Sequence, residues 1–242
     1  MKQNKYDDPA FFEAYSKMPR SIDGLKSAGE WEIFRTNLPE LSEKKVLDLG
    51  CGYGWHCQYA VEQGADIVVG IDLSKKMLMK ARELTDKGKV TFEQCAIEDF
   101  EADEASFDVI LSSLALHYVE DISSVFHKAS TLLKSKGVLC YSVEHPIFTS
   151  NSSQDWHYEN SKVQHWPLDN YFHEGQRVTE FLGSEVIKYH RTIEHHISAL
   201  LSEGFEILAV LEPKPSDEMV AKMGWHDELR RPMMLIIKAM KK

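Results

Sequence analysis

Val46-Leu47-Asp48-Leu49-Gly50-Cys51-Gly52-Tyr53-Gly54 is the stretch on which the fold of this chain turns. Val46, Leu47 and Leu49 form the short apolar run of a parallel strand covered on both faces. Three glycines within five positions let the backbone turn sharply and approach a ligand where a Cβ would collide. A helix pattern begins at Trp55, and a helix start presents unpaired N–H groups and a positive dipole end. Strand, turn and helix start together make a cradle for a small molecule. Downstream, Ile67-Val68-Val69-Gly70-Ile71-Asp72 is a second apolar strand ending in a carboxylate. An acid at the tip of a second strand is placed to accept hydrogen bonds from a ribose diol. Turn, helix, strand and terminal acid in this order are far more specific than a glycine turn alone.

The glycine spacing bears on which nucleoside is bound. A dinucleotide site carries G-x-G-x-x-G, whose third glycine lets the helix pack closely on the strand. Here the glycines fall at 50, 52 and 54, and Trp55 stands in the place of the third dinucleotide glycine. Asp48 adds negative charge close to where a pyrophosphate would lie. These features disfavour NAD and suit a cationic amino-acid nucleoside.

The segment VLDLGCGYG…VVGIDLS resembles the first two motifs of the class I S-adenosylmethionine-dependent methyltransferases. Further matches follow in the family's order. Ser106-Phe107-Asp108-Val109-Ile110-Leu111-Ser112-Ser113 resembles the fourth-strand "FD" segment. Leu132-Leu133-Lys134-Ser135-Lys136-Gly137-Val138-Leu139 resembles the "LKPGG" turn, with Ser135 and Lys136 departing from Pro and Gly. The resemblance is strong over residues 40–145 and looser beyond. It implies an α/β, doubly wound, Rossmann-like sheet of seven mostly parallel strands with a reversed last strand. It also implies S-adenosylmethionine as cofactor and methyl transfer by in-line displacement to a small-molecule acceptor. Two rivals are a non-catalytic S-adenosylmethionine-binding regulatory module and, more remotely, an NAD-linked oxidoreductase.

Bulk properties agree with a single domain of 242 residues. Lys+Arg 28 against Asp+Glu 38 gives a net charge of −10, which argues against a phosphate-tracking surface and so against nucleic acid as a partner. No apolar run approaches the ~20 residues of a membrane span, and MKQNKYDDPAFF lacks the apolar core of a secretory signal. The cysteines at 51, 57, 95 and 140 show neither a C-x-x-C pair nor a disulfide framework, as for buried thiols in a reducing compartment. A cytoplasmic location is expected. His190, His195 and His196 lack the i, i+4 spacing of a helical zinc motif, so no metal is expected.

Along the chain, residues 1–40 are helical in pattern and rich in aromatics, with Asp8-Pro9 as a helix start. Strands read at 45–49, 67–72, 90–95, 107–112 and 138–144, and helices at 55–63, 75–86 and 121–134. Their alternation predicts right-handed βαβ units. Residues 146–187 break the rhythm with prolines, glycines and seven aromatics, and read as a cap insertion over the substrate. Tyr189–Gly204 reads as an amphipathic helix, and Phe205–Leu211 and Met233–Met240 as a strand pair. Residues 41–145 form the cofactor-binding core, 1–40 a lid implied by the resemblance, and 188–242 the C-terminal helix and strand pair.

Candidate site residues follow from this layout. Asp72 is the ribose acceptor, and Gly50, Gly52 and Gly54 lie against the amino-acid end of the cofactor, with Asp48 near its ammonium group. Leu73, Ala96 and Ile97 are expected at the adenine; many family members carry Asp where Ala96 stands. The resemblance places Tyr15 and Arg20 near the methionine moiety, where a guanidinium can bind both carboxylate oxygens. Ser112 and His117 follow the fourth strand, and His145 ends the fifth, on the side where such sheets bind ligands. His145, then His117 and His190, are the candidate bases. A carboxylate acceptor would need no base, whereas a hydroxyl or carbon acid would draw on one of them.

Overall fold

The computed structural model describes residues 2–85 and 88–242. Three short helices precede the sheet: α1 (Pro9–Ser16), α2 (Pro19–Ile22) and α3 (Trp31–Asn37). Asp8 starts α1 by accepting the Phe11 N–H at 3.0 Å, and Pro9 takes the first position, where an N–H would go unused. Strands and helices then alternate: β1 (Lys45–Leu49), α4 (Trp55–Glu62), β2 (Ile67–Asp72), α5 (Lys75–Leu84), β3 (Val90–Gln94), β4 (Phe107–Ser113), α6 (Ile122–Leu132) and β5 (Leu133–Glu144). Ser74 and Asp121 cap α5 and α6 through their side chains. The predicted end of the second of these helices, Asp86, lies outside the described residues; α5 is closed at Thr85.

The insertion contains α7 (Pro146–Thr149) and two hairpins, β6 (His157–Glu159) with β7 (Lys162–His165) and β8 (Gly175–Phe181) with β9 (Ser184–His190). The chain finishes with α8 (Ile193–Ser202), β10 (Phe205–Leu211), α9 (Asp217–Met223) and β11 (Met234–Lys241). The main sheet has the order β10-β11-β5-β4-β1-β2-β3. β11 runs antiparallel to both its neighbours, β5 and β10, and the other neighbouring pairs are parallel. This is the doubly wound sheet with a reversed last strand that the sequence predicts.

Alternation along β1 shows why both faces are closed. Leu47 and Leu49 pack with Ile71, Ile110, Phe126 and Tyr141 beneath α6 and α8. Val46 joins Val68, Leu111, Cys140 and Ile236 on the other face, under Trp31 and Phe34 of α3 and Cys57 of α4. Each fully buried Leu, Ile or Phe in these layers contributes about 1.5–3 kcal/mol.

Two boundaries differ from the sequence reading. The helix expected over Tyr189–Gly204 begins only at Ile193, with Thr192 accepting the His195 N–H at 3.1 Å. Tyr189 and His190 belong to β9, whose buried face is Val186, Lys188 and His190. A strand with two polar side chains on its inner face does not show as apolar alternation. The helix expected to reach residue 134 stops at Leu132, and β5 passes through a left-handed turn at Lys136 (φ +62°), where the resembled motif has glycine.

Candidate active site

Strand order reverses between β1 and β4, and in such sheets ligands sit outside the carboxyl ends of the strands at that point. A cavity of about 740 Å³ lies there. It spans the tips of β2, β1, β4 and β5, from Asp72 to Glu144. Three strand spacings of about 4.8 Å make this roughly 14 Å.

At the β1–β2 end the wall is Gly50, Cys51, Gly52, Asp72, Leu73, Ala96 and Ile97. Gly50 has φ +76°, and a Cβ there would lie 2.4 Å from the Ala115 Cβ, so only glycine lets the turn and the β4 loop approach this closely. Asp72 is fixed by two backbone donors: Gly52 N–H to Oδ2 at 2.9 Å and Ser74 N–H to Oδ1 at 2.8 Å. Burial nevertheless pushes its carboxyl up to about 6. Each oxygen keeps a second lone pair for a ligand donor.

The N-terminal segment forms the roof. Asp7 accepts from Ser74 Oγ (2.6 Å) and the Lys76 N–H (3.0 Å), at the start of α5. Gln3 Oε1 accepts the Ile187 N–H of β9 at 2.8 Å. Gly24 lies beneath the Trp55 ring, 3.0 Å from where its Cβ would be. Tyr15 packs edge-on against Tyr6 and Tyr53. Arg20 holds the buried Glu30 at 2.6 Å and lines the cavity beside Tyr15.

At the β4–β5 end a buried polar trio closes the wall. Lys188 Nζ donates to Glu144 Oε1 (2.6 Å) and Gln154 Oε1 (3.0 Å), and Gln154 Nε2 donates to Glu144 Oε2 (3.0 Å). Burial works to raise Glu144, but the charges of its neighbours and these hydrogen bonds prevail and hold it below its usual value. His117 Nδ1 accepts the Glu144 N–H at 3.4 Å, and burial lowers its imidazole to about 4, so it is neutral at pH 7.

Of the residues singled out in the sequence, Tyr15, Arg20, Gly50, Gly52, Asp72, Leu73, Ala96, Ile97 and His117 share this cavity wall. Five do not. Asp48 lies beneath the turn, where it accepts from Cys57 Sγ at 3.4 Å, and burial lifts it to about 7. Gly54 caps α4 against Phe92. Ser112 Oγ donates to the Leu49 carbonyl at 2.8 Å, tying β4 to β1. His145 caps α7 by accepting the Ile147 N–H through Nδ1, and its Nε2 lies 2.9 Å from Glu212, behind the cavity wall. His190 is fully buried between Thr149 Oγ1 (2.8 Å) and the Tyr171 carbonyl (2.9 Å). Expecting His145 and His190 as bases is therefore corrected: both are fully buried and neither stands on the cavity wall. Lys188, Gln154 and His56 line the cavity without having been singled out. For Lys188 the available signal was its period-2 spacing from Val186 and His190.

The fold and cavity define a doubly wound nucleoside-binding protein. A profile described as "Methyltransferase domain" matches residues 40–209. The chain is 48% identical to a Listeria monocytogenes protein assigned as an S-adenosylmethionine-dependent methyltransferase, with a TM-score of 0.86, covering 90% of this chain and 99% of that one. A Mesorhizobium loti S-adenosylmethionine-dependent methyltransferase is 39% identical, with a TM-score of 0.85 and coverage of 90% and 100%. An uncharacterized Haemophilus influenzae protein is 36% identical over 99% of this chain and 98% of its own length. The ubiquinone biosynthesis O-methyltransferase of Pasteurella multocida is 37% identical over 114 residues, 42% of this chain and 47% of that enzyme; the chain thus matches about half of that relative's length.

The chain belongs to the methyltransferase-domain family. It is an enzyme of methyl transfer whose cofactor is S-adenosylmethionine. The cavity fits that cofactor: a fixed carboxylate stands at the β2 tip, and the turn at Gly50 has no room for a Cβ. Among the described residues no helix is long and apolar enough to cross a membrane, and no three His, Cys, Asp or Glu side chains gather as a metal set.

Proposed function

We propose that the enzyme methylates a small-molecule acceptor held at the β4–β5 end of the cavity, in the cytoplasm. The observation that carries this reading is the single cavity running from Asp72 to Glu144 beneath the N-terminal helices and the β8–β9 hairpin. Asp72 would hold the ribose hydroxyls, and Leu73, Ala96 and Ile97 the adenine. Gly50, Gly52, Tyr15 and Arg20 would hold the amino-acid end, with Asp48, Gly54 and Ser112 shaping the turn from beneath. When bound, S-adenosylmethionine supplies an electrophilic methyl on a sulfonium sulfur. Residues 1–40 act as lid and 146–187 as cap, excluding water and fixing the acceptor; holding two reactants in near-attack geometry supplies roughly 7–11 kcal/mol of the barrier. His117, neutral and with Nδ1 engaged, presents its Nε2–H and so orients the acceptor rather than taking its proton. The acidic balance of −10 supports a small acceptor over a nucleic acid.

The test is transfer of a radiolabelled methyl from S-adenosylmethionine in a cell extract, followed by size fractionation. Label in the small-molecule fraction is expected. Label confined to protein or nucleic acid would overturn the reading.

A further inference from the structure

We infer that the acceptor presents an already ionised carboxylate, gripped by the remaining N–H donors of Lys188, Gln154 and His117. This rests on the proposed function and names its substrate class. Lys188 is only 2% exposed and lines the cavity. Its ammonium carries three protons, of which two are directed at Glu144 and Gln154, leaving one for the cavity. Gln154 Nε2 gives one of its two protons to Glu144 and keeps the other. The Nδ1 of His117 is occupied by the Glu144 N–H, which puts the ring proton on Nε2. Three donors on one wall, with no ligand acceptor among the described residues to use them, match the lone pairs of a carboxylate.

The titratable groups of the trio, His117 and the tyrosine pair beside them are not free to act as a base. Both oxygens of Glu144 are engaged, the basic nitrogen of His117 is engaged, and the phenols of Tyr6 and Tyr118 face each other at 3.4 Å. A hydroxyl or a carbon acid needs its proton removed as it is methylated, whereas a carboxylate is already the nucleophile. At the Phe181 ring a cation is already in place, since Lys188 Nζ lies 5.4 Å over it, so this ring is not free for an incoming ammonium. Phe148, Phe181 and Met233 then suit the apolar body of an organic acid.

In the transfer this binding serves, the carboxylate oxygen forms the new bond to the methyl carbon. The carbon–sulfur bond breaks with its electron pair going to sulfur. A neutral ester and a neutral thioether result, and no proton moves.

The test is calorimetry on protein saturated with S-adenosylhomocysteine, titrated with benzoate, benzyl alcohol and benzylammonium as matched probes. Benzoate should bind at least tenfold more tightly than either of the others. The double variant Lys188→Met with Glu144→Gln, which removes both buried charges together, should lose that preference while still binding S-adenosylhomocysteine; Gln154→Leu gives a second, milder check. Absence of benzoate binding to the loaded protein, equal or tighter binding of the alcohol or the ammonium, or an unchanged preference in the double variant would overturn the inference alone. Failure of the wild type to take up S-adenosylhomocysteine would overturn the cavity's assignment and this inference with it.

Discussion

Replacing Asp72 by Asn keeps the side chain's shape and removes its charge, and the geometry around it sets the size of the effect. In the wild type the Gly52 and Ser74 N–H groups each have an oxygen of their own, at 2.9 and 2.8 Å. An amide offers an acceptor to only one of them and turns an NH2 toward the other. In the proposed binding mode the ligand side loses a charge-assisted hydrogen bond, about 1.5–3 kcal/mol, so S-adenosylhomocysteine should bind about 10- to 150-fold more weakly. The pH dependence is the sharper signature. Burial raises the Asp72 carboxyl from 3.8 to about 6, and in the proposed binding mode ribose hydroxyls donating to its charged form draw it back down. Binding therefore releases a proton, and affinity grows as pH rises through 6. With full return to 3.8, affinity at pH 7 exceeds that at pH 5 by about tenfold.

Calorimetry at pH 5, 6 and 7, in buffers of differing ionisation enthalpy, reads both affinity and proton release. Asp48 also titrates near this window, at about 7, so Asp48→Asn is measured alongside and should keep the slope. A flat wild-type affinity between pH 5 and 7, or an undiminished slope in Asp72→Asn, would refute the reasoning.

Three further outcomes are expected. Gly50→Ala forces φ +76° on a residue with a Cβ and drives that atom to 2.4 Å from Ala115; the backbone alone costs about 1–3 kcal/mol, so melting temperature should fall and S-adenosylhomocysteine binding vanish, and wild-type values for both would count against the close approach. The buried Asp48 carboxyl has a folded-state value of about 7 against an ordinary 3.8, so the stability tied to its proton is present at low pH and lost as pH climbs through 7. Asp48→Asn should therefore gain melting temperature relative to the wild type between pH 5 and 8, and the opposite trend would contradict the burial argument. His190→Phe strands Thr149 Oγ1 and the Tyr171 carbonyl at about 1–3 kcal/mol; the melt should drop with ligand affinity unchanged, and the reverse pattern would return His190 to the site.

The core was legible because one residue type decides each of its features. Glycines at the turn, an acid at the end of an apolar run and Ser or Asp before a helix each have a local physical meaning that survives folding. Asp72, Gly50 and Gly52, singled out in this way, line the cavity. What escaped depends on pairing between distant segments. His145 sits at the end of β5, as its position foretold, but the backbone of α7 takes up its Nδ1, and nothing local announces that. Lys188 and His190 share the inner face of β9, and a lysine facing inward reads as helix or loop until Glu144, forty-four residues earlier, is seen beside it. Lys136 adopting the left-handed turn in place of glycine likewise shows the tertiary frame overriding a residue's own preference.

The clip between Gln3 and Ile187 joins positions separated by 184 residues. Gln3 is made 184 residues before its docking partner, an interval of roughly 10–40 s at about 5–20 residues per second. The nucleoside cradle itself comes from contacts of much shorter range and can assemble well before the roof. Until β9 is made the nascent protein is thus an open cradle whose Gln3 segment is undocked. A chain stalled before β9 would retain the turn at Gly50 and Asp72 but lack the strand on which Gln3 docks.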